Sequence, residues 1–138
     1  MSLARWSPTL SVGIEAIDAD HQELIILLNR LGVAVARGVE RDVIVAKLGE
    51  LIAHAERHFD REAEFMTSYN YPEAEHHQDI HRELMADIAE LRKEFERGAE
   101  IGPEFVLYLW NWLLNHIAED DKRLGAYLGP LMSEPRGG

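Results

Sequence analysis

The sequence predicts an all-α chain folded as an up-down-up-down antiparallel four-helix bundle, with an extended N-terminal arm and a short C-terminal helical turn. Three observations carry that prediction. The prolines, Pro8, Pro72, Pro103, Pro130 and Pro135, fall between long stretches of chain rather than inside them. Within each stretch, apolar residues recur at alternating spacings of three and four, the period of one helix face. No segment bounded by turn residues alternates with period two, as a half-buried strand would.

The elements follow in order. A first helix is expected over about residues 19–37, with Asp18 or Asp20 as its cap, Gly38 as its stop, and an inner stripe of Leu24, Leu28, Leu31 and Val35. A second, over about residues 41–68, carries Ile44, Leu48, Leu51, Ala55, His58, Glu62, Phe65 and Tyr69. A third, over about residues 73–97, ends before Gly98 and aligns His77, His81, Leu84, Ile88, Leu91 and Phe95. The fourth opens at Gly102-Pro103, where a proline in the first turn forfeits no hydrogen bond, and aligns Phe105, Leu109, Trp112 and His116. A short turn over residues 124–128 closes against Gly129-Pro130, and the tail from Ser133 reads as frayed. The chain reads as one domain over 1–138, with an arm over about 1–18, a bundle over about 19–128 and a tail over about 129–138.

Composition narrows the function. The chain has 138 residues, 46% of them apolar, with 25 acidic against 14 basic side chains and a net charge of −11. An acidic chain has no excess of cations to displace the counterions of a nucleic acid or to seek an anionic membrane surface. No stretch reaches the roughly 18 apolar residues of a membrane span, and the first residues lack the apolar region of a leader. With no cysteine, disulfides, thiol catalysis and thiolate-held metals are out. A soluble, cytoplasmic, monomeric protein is the expectation.

The seven histidines break the pattern. Inner stripes should be apolar, yet they carry His58, Glu62, His77, His81 and His116, and the first stripe extends back from Leu24 to His21. Burying such groups is costly unless they are paired or bind a metal. His58 with Glu62, and His77 with His81, are four apart and so stand one above the other on a helix face. One such pair means little in a chain with seven histidines, but inward imidazoles on four helices form a coincidence that a metal would explain. Nitrogen and oxygen donors without thiolate suit iron, copper, zinc or nickel. Only one Glu-x-x-His occurs, at Glu73 to His76 and off the inner stripe, which disfavours a ferritin-type oxidase. His-Glu-x-x-His, the common zinc protease signature, is absent.

Together these segments resemble a known family. His58-Phe59-Asp60-Arg61-Glu62, Tyr71-Pro72 leading to His77 and His81, and Trp112-Leu113-Leu114-Asn115-His116-Ile117 followed by Asp121 are similar to hemerythrin in its bacterial form. Trp6-Ser7, Val12-Gly13 and Ile17-Asp18-Ala19-Asp20-His21 resemble that family's approach to its first helix. The match spans about residues 6–128. The up-down-up-down topology is itself known from a hemerythrin relative, so topology and resemblance are not independent findings.

The resemblance implies a non-haem site of two iron ions with an oxo or hydroxo bridge, held by His21, His58, Glu62, His77, His81, His116 and Asp121. It places His77, His81 and His116 on one iron and His21 and His58 on the other, with Glu62 and Asp121 bridging. One coordination position then stays open, on the iron with two histidines. Asp121 follows His116 by five, about 140° around an ideal helix, whereas Asp120 would share its face. Asp121 therefore requires the helix to bulge or end there. Phe59, Trp112 and Leu113 fall where the family lines its oxygen pocket, and each is also ordinary core.

His54 precedes His58 by four. It reads either as a half-buried histidine bonded to a carbonyl or as a group behind the ligands that tunes one of them or relays protons. His76, off the stripe, reads as solvated. Ala63 departs from the family, where a second glutamate commonly follows the bridging one. The implied function is reversible dioxygen binding for carriage, storage, delivery or sensing, without catalysis, the redox or oxidase partner left unspecified. The alternatives are a peroxidase or nitric-oxide-consuming enzyme, or iron storage, on the same site.

Overall fold

The computed structural model describes residues 5–133. Five α-helices and no strands make up the described residues: α1 (Glu15–Arg37), α2 (Arg41–Ser68), α3 (Ala74–Glu96), α4 (Pro103–His116) and α5 (Lys122–Ser133), with a π turn, Ile117–Asp121, joining the last two. None is long and apolar enough to cross a membrane. The starts of α1 and α3 meet the ends of α2 and α4 at one pole, as His21, His77, Glu62 and His116 show, so successive helices run in opposite directions.

Local chemistry sets most boundaries. Gly38 ends α1 in the left-handed conformation (φ 62°), where its N–H bonds back to Ala34 and Val35. Pro103 opens α4, as its fixed φ and missing N–H allow. Between the helices the core is aliphatic: Leu24, Leu28, Leu31, Leu48, Leu84, Ile88 and Leu109 are buried. Near the end of α2 the fully buried residue is Met66 (1% exposed), while Phe65 and Tyr69 are only partly covered.

Two expectations need correction. The first helix begins at Glu15, four residues before Ala19, and neither Asp18 nor Asp20 caps it; Ile14 holds the capping position. Asp18 lies one turn inside and reaches back, accepting the Val12 N–H at 2.8 Å and the Ser11 hydroxyl at 2.5 Å. Those bonds fold the arm onto the bundle, where Val12 and Ile14 are buried. Asp20 turns inward instead.

The C-terminal turn is also longer than residues 124–128. Because the π turn passes the helix on unbroken, α5 runs through Pro130 to Ser133. Pro130 sits in its last turn, where it leaves the carbonyl four residues earlier without its N–H partner. The tail expected to be frayed falls, at residues 134–138, outside the described residues, as do 1–4. Two contacts tie α5 down. The Tyr127 hydroxyl donates to the carbonyls of Tyr69 (2.7 Å) and Asn70 (3.1 Å), and Gly125 admits the Val12 carbonyl where any Cβ would collide.

Candidate metal centre

Each helix delivers its polar residues to the same pole because its stripe continues past the last aliphatic position. His21 continues Leu28–Leu24 on α1, while His58 and Glu62 continue Leu51–Ala55 on α2. His77 and His81 precede Leu84 on α3, and His116 follows Leu109 and Leu113 on α4. Asp121 arrives by way of the π turn. In such a turn the backbone bonds from i to i+5, so a residue five after His116 returns to its face. All seven side chains are buried, with His21, Glu62 and Asp121 at 0% exposure.

The seven sort into two overlapping groups. Glu62, His77, His81, His116 and Asp121 form one, and His21, His58, Glu62 and Asp121 the other; within each, the donor atoms lie within 4.8 Å of one another. Glu62 and Asp121 belong to both, and each divides its oxygens between them. Glu62 Oε1 is 3.1 Å from His77 Nε2 and 3.3 Å from His81 Nε2, while Oε2 is 3.3 Å from His58 Nε2. Asp121 Oδ1 is 3.1 Å from both His77 Nε2 and His116 Nε2, and Oδ2 is 2.9 Å from His21 Nε2.

Of these contacts, Glu62 Oε1 with His77 Nε2 is an aligned hydrogen bond; most of the others are proximity alone. His21 Nε2, His58 Nε2, Glu62 Oε2 and both Asp121 oxygens are buried with no aligned hydrogen-bond partner. Orphaned buried polar atoms cost stability, and a cation is the partner that would satisfy nitrogen and oxygen lone pairs together. The donor set is nitrogen and oxygen throughout, as the borderline first-row metals prefer. The residues therefore fit a pair of metal ions.

Without metal, protons take the cation's place. Burial opposes charge on His58, but the Asp20 hydrogen bond and the nearby Glu62 carboxylate prevail and lift it to about 9. His77 is likewise lifted to about 9 against burial, by Asp121 and Glu62. Asp121 and Asp120 lift His116 to about 10, again against burial. His81 goes the other way, because burial and the neighbouring His116 and His77 outweigh the pull of Glu62. A charged His116 can then donate to a neutral His81 across their 2.8 Å Nε2–Nε2 contact. Burial would raise Glu62 and Asp121, but the imidazoles around them hold both carboxyls well below their usual range.

The surroundings are partly aromatic. Phe59 stacks on His81 (centroids 3.8 Å apart) and Trp112 on His116 (4.6 Å). Phe59, Trp112, Leu113 and His58 line one end of a cavity of about 50 Å³, whose remaining walls are aliphatic. His54 Nε2 donates to the Asp20 backbone carbonyl at 3.3 Å, and His76 is exposed.

Sequence reasoning missed Asp20 as part of this site. Its carboxylate is 2.9 Å from His58 Nδ1 and 3.0 Å from Arg61 Nε. Being one residue from His21, it lies off the stripe that found the others. Asp120, weighed only as a rival to Asp121, accepts from His116 Nδ1 (2.8 Å) and from Arg123 (2.8 Å).

Comparison with known proteins identifies the family. The chain is 34% identical over 122 residues to a bacteriohemerythrin of Stenotrophomonas maltophilia, covering 88% of this chain and 79% of that one. It is 32% identical over 116 residues to a bacteriohemerythrin of Pseudomonas aeruginosa, covering 84% and 75%. A crystal structure of wild-type hemerythrin superposes with a TM-score of 0.88 at 28% identity, covering 93% of this chain and 99% of that one. The model of the hemerythrin HHE cation binding domain matches residues 12–128, and the chain belongs to the hemerythrin family.

Proposed function

We propose that this protein binds dioxygen reversibly at a di-iron centre held by His21, His58, Glu62, His77, His81, His116 and Asp121. The observation that carries the reading is the division of Glu62 and Asp121 between two unequal donor groups, five residues against four. Two carboxylates so placed would be shared by both ions of a pair, and the group with His21 and His58, having fewer donors, would be the one to take a small exogenous ligand. Bound ferrous ions would supply the two electrons that dioxygen draws on.

The chain's own residues supply the rest. Five imidazoles and two carboxylates would hold the pair rigidly, because each is buried and fixed by a packed helix or, for Asp121, by the π turn. Phe59, Trp112 and Leu113 line the apolar cavity beside His58 and keep water, and the protons it carries, from the ligand. Excluding protons favours release of the ligand as dioxygen over its loss in reduced form. Carriage, storage, delivery and sensing all draw on the same reversible step.

The test is direct. Iron per chain is measured, the protein is reduced, and its visible spectrum is followed through cycles of air and argon. Two irons per chain, and a band that appears in air and vanishes under argon over repeated cycles, support the reading. Irreversible conversion on the first exposure to air, or zinc in place of iron, overturns it.

A further inference from the structure

We propose that Asp20 is a positioning residue for the metal centre: held in place by Arg61, its carboxylate fixes the His58 ring and strengthens that imidazole as a donor to the ion on the two-histidine side. The proposal rests on the metal reading above. His58 presents Nε2 to Glu62 and Nδ1 to Asp20, at 3.3 and 2.9 Å. A ring that donates its Nδ1–H to a carboxylate is left with an Nε2 lone pair facing the ion, and the neighbouring negative charge makes that lone pair more basic.

Asp20 is itself gripped from α2. His54, His58 and Arg61 are spaced four and three apart, so one face of α2 presents all three to a single residue of α1. His54 takes the backbone carbonyl, while His58 and Arg61 take the same carboxylate oxygen. The Asp20 side chain is only 10% exposed, whereas Arg61 is 51% exposed. An ion pair with a half-exposed arginine does not by itself repay burying a carboxylate; aligning a ligand gives that burial a purpose.

The same device recurs in the other group. Asp120, held by Arg123, accepts from His116 Nδ1 while His116 Nε2 faces Asp121. One imidazole in each group is thus backed by a carboxylate and an arginine, with the two devices on different helices. His21 Nδ1, in contrast, has no hydrogen-bond partner.

Cobalt(II) alone is the probe, titrated into metal-free protein and competed with a chelator, each ion followed by its visible absorption. The wild type is expected to take two ions per chain, one for each donor group. Asp20→Ala should weaken one of the two by about 10- to 100-fold and alter that ion's spectrum alone. Asp20→Asn keeps an acceptor for His58 but not the charge, and should fall between. Asp120→Ala should affect the other ion.

Urea unfolding of the metal-free variants separates a merely structural Asp20, which would lower stability without singling out one ion. Should Asp20→Ala fail to fold, Asp20→Asn and Arg61→Met carry the same test. Unchanged cobalt affinities and spectra in those two, with two ions bound by the wild type, overturn the role of Asp20 alone. A wild type that does not bind two ions overturns the metal reading, and this proposal with it.

Discussion

Removing the metal should make the fold and the site respond to pH in opposite directions. In the metal-free protein His58 and His77 are raised to about 9 and His116 to about 10, from 6.5. Between pH 6.5 and 9 the folded chain therefore holds protons that the unfolded chain has lost, and stability falls as pH rises. The contribution of these three histidines is complete below pH 6.5 and gone above about 10, whereas His81, lowered, has the opposite sign and costs stability as pH falls below 6.5. Glu62 and Asp121 are depressed, so their contribution is complete above their unfolded values of 4.5 and 3.8 and fades as pH falls.

Metal-free protein should thus be most stable near pH 6.5. Above that, it should lose about 1 to 4 kcal/mol per pH unit, the lower figure for one retained proton and the upper for three. Loading with metal demands the reverse, since imidazoles must be neutral to coordinate. Near pH 8 it should expel up to three protons per chain, one each from His58, His77 and His116. Urea denaturation of chelated protein at pH 6 and 8 measures the first effect. Calorimetric metal titration in two buffers of different ionisation enthalpy counts the protons. Stability that rises from pH 6.5 to 8.5 without metal, or loading that releases no protons, would refute the reasoning.

Three further outcomes are expected. Asp121→Ala should abolish loading of two ions per chain, whereas Asp120→Ala should retain both with one weakened; metal analysis with chelator competition distinguishes them, and the reverse pattern would exchange their roles. Leu113→Ala enlarges the apolar cavity beside His58, and should cost about 2 to 5 kcal/mol of stability by denaturation and speed autoxidation of air-exposed protein. An unchanged autoxidation rate would remove Leu113 from the pocket. Gly125→Ala drives a Cβ into the Val12 carbonyl, and should cost about 1 to 3 kcal/mol and hasten protease cleavage of the arm, while iron per chain stays the same.

How far the sequence could be read depended on period and distance along the chain. His58 with Glu62, and His77 with His81, were legible because a separation of four aligns side chains on any α-helix, whatever surrounds it. His21 and His116 were legible because they extend an aliphatic stripe. Asp121 was not legible that way. On an ideal helix Asp120 is the better candidate, and only the resemblance favoured the later residue. The π turn over Ile117–Asp121 supplies the physical reason, since one extra residue in the turn resets the face. Asp20 escaped altogether: its value comes from His58 and Arg61, about forty residues on and across a helix interface.

The ends of the elements show the same division. Gly38 stops α1 for a local reason, a left-handed backbone that glycine adopts at little cost. The start of α1 could not be placed from the sequence, because Asp18 acts on Ser11 and Val12 behind it rather than as a cap. Pro130 lies within α5, past the Gly129-Pro130 stop that local chemistry suggests, on a helix that Tyr127 and Gly125 anchor one turn earlier.

The sequence by itself determined the helices, their apolar faces and the presence of too many imidazoles on those faces, because these follow from periodicity and from the cost of burying charge. Only the tertiary structure decided which oxygens of Glu62 and Asp121 face which histidines, which aspartate enters the site and which one stands behind His58. Those relations are set by packing between helices, where shifts of an ångström or two separate a ligand from a bystander.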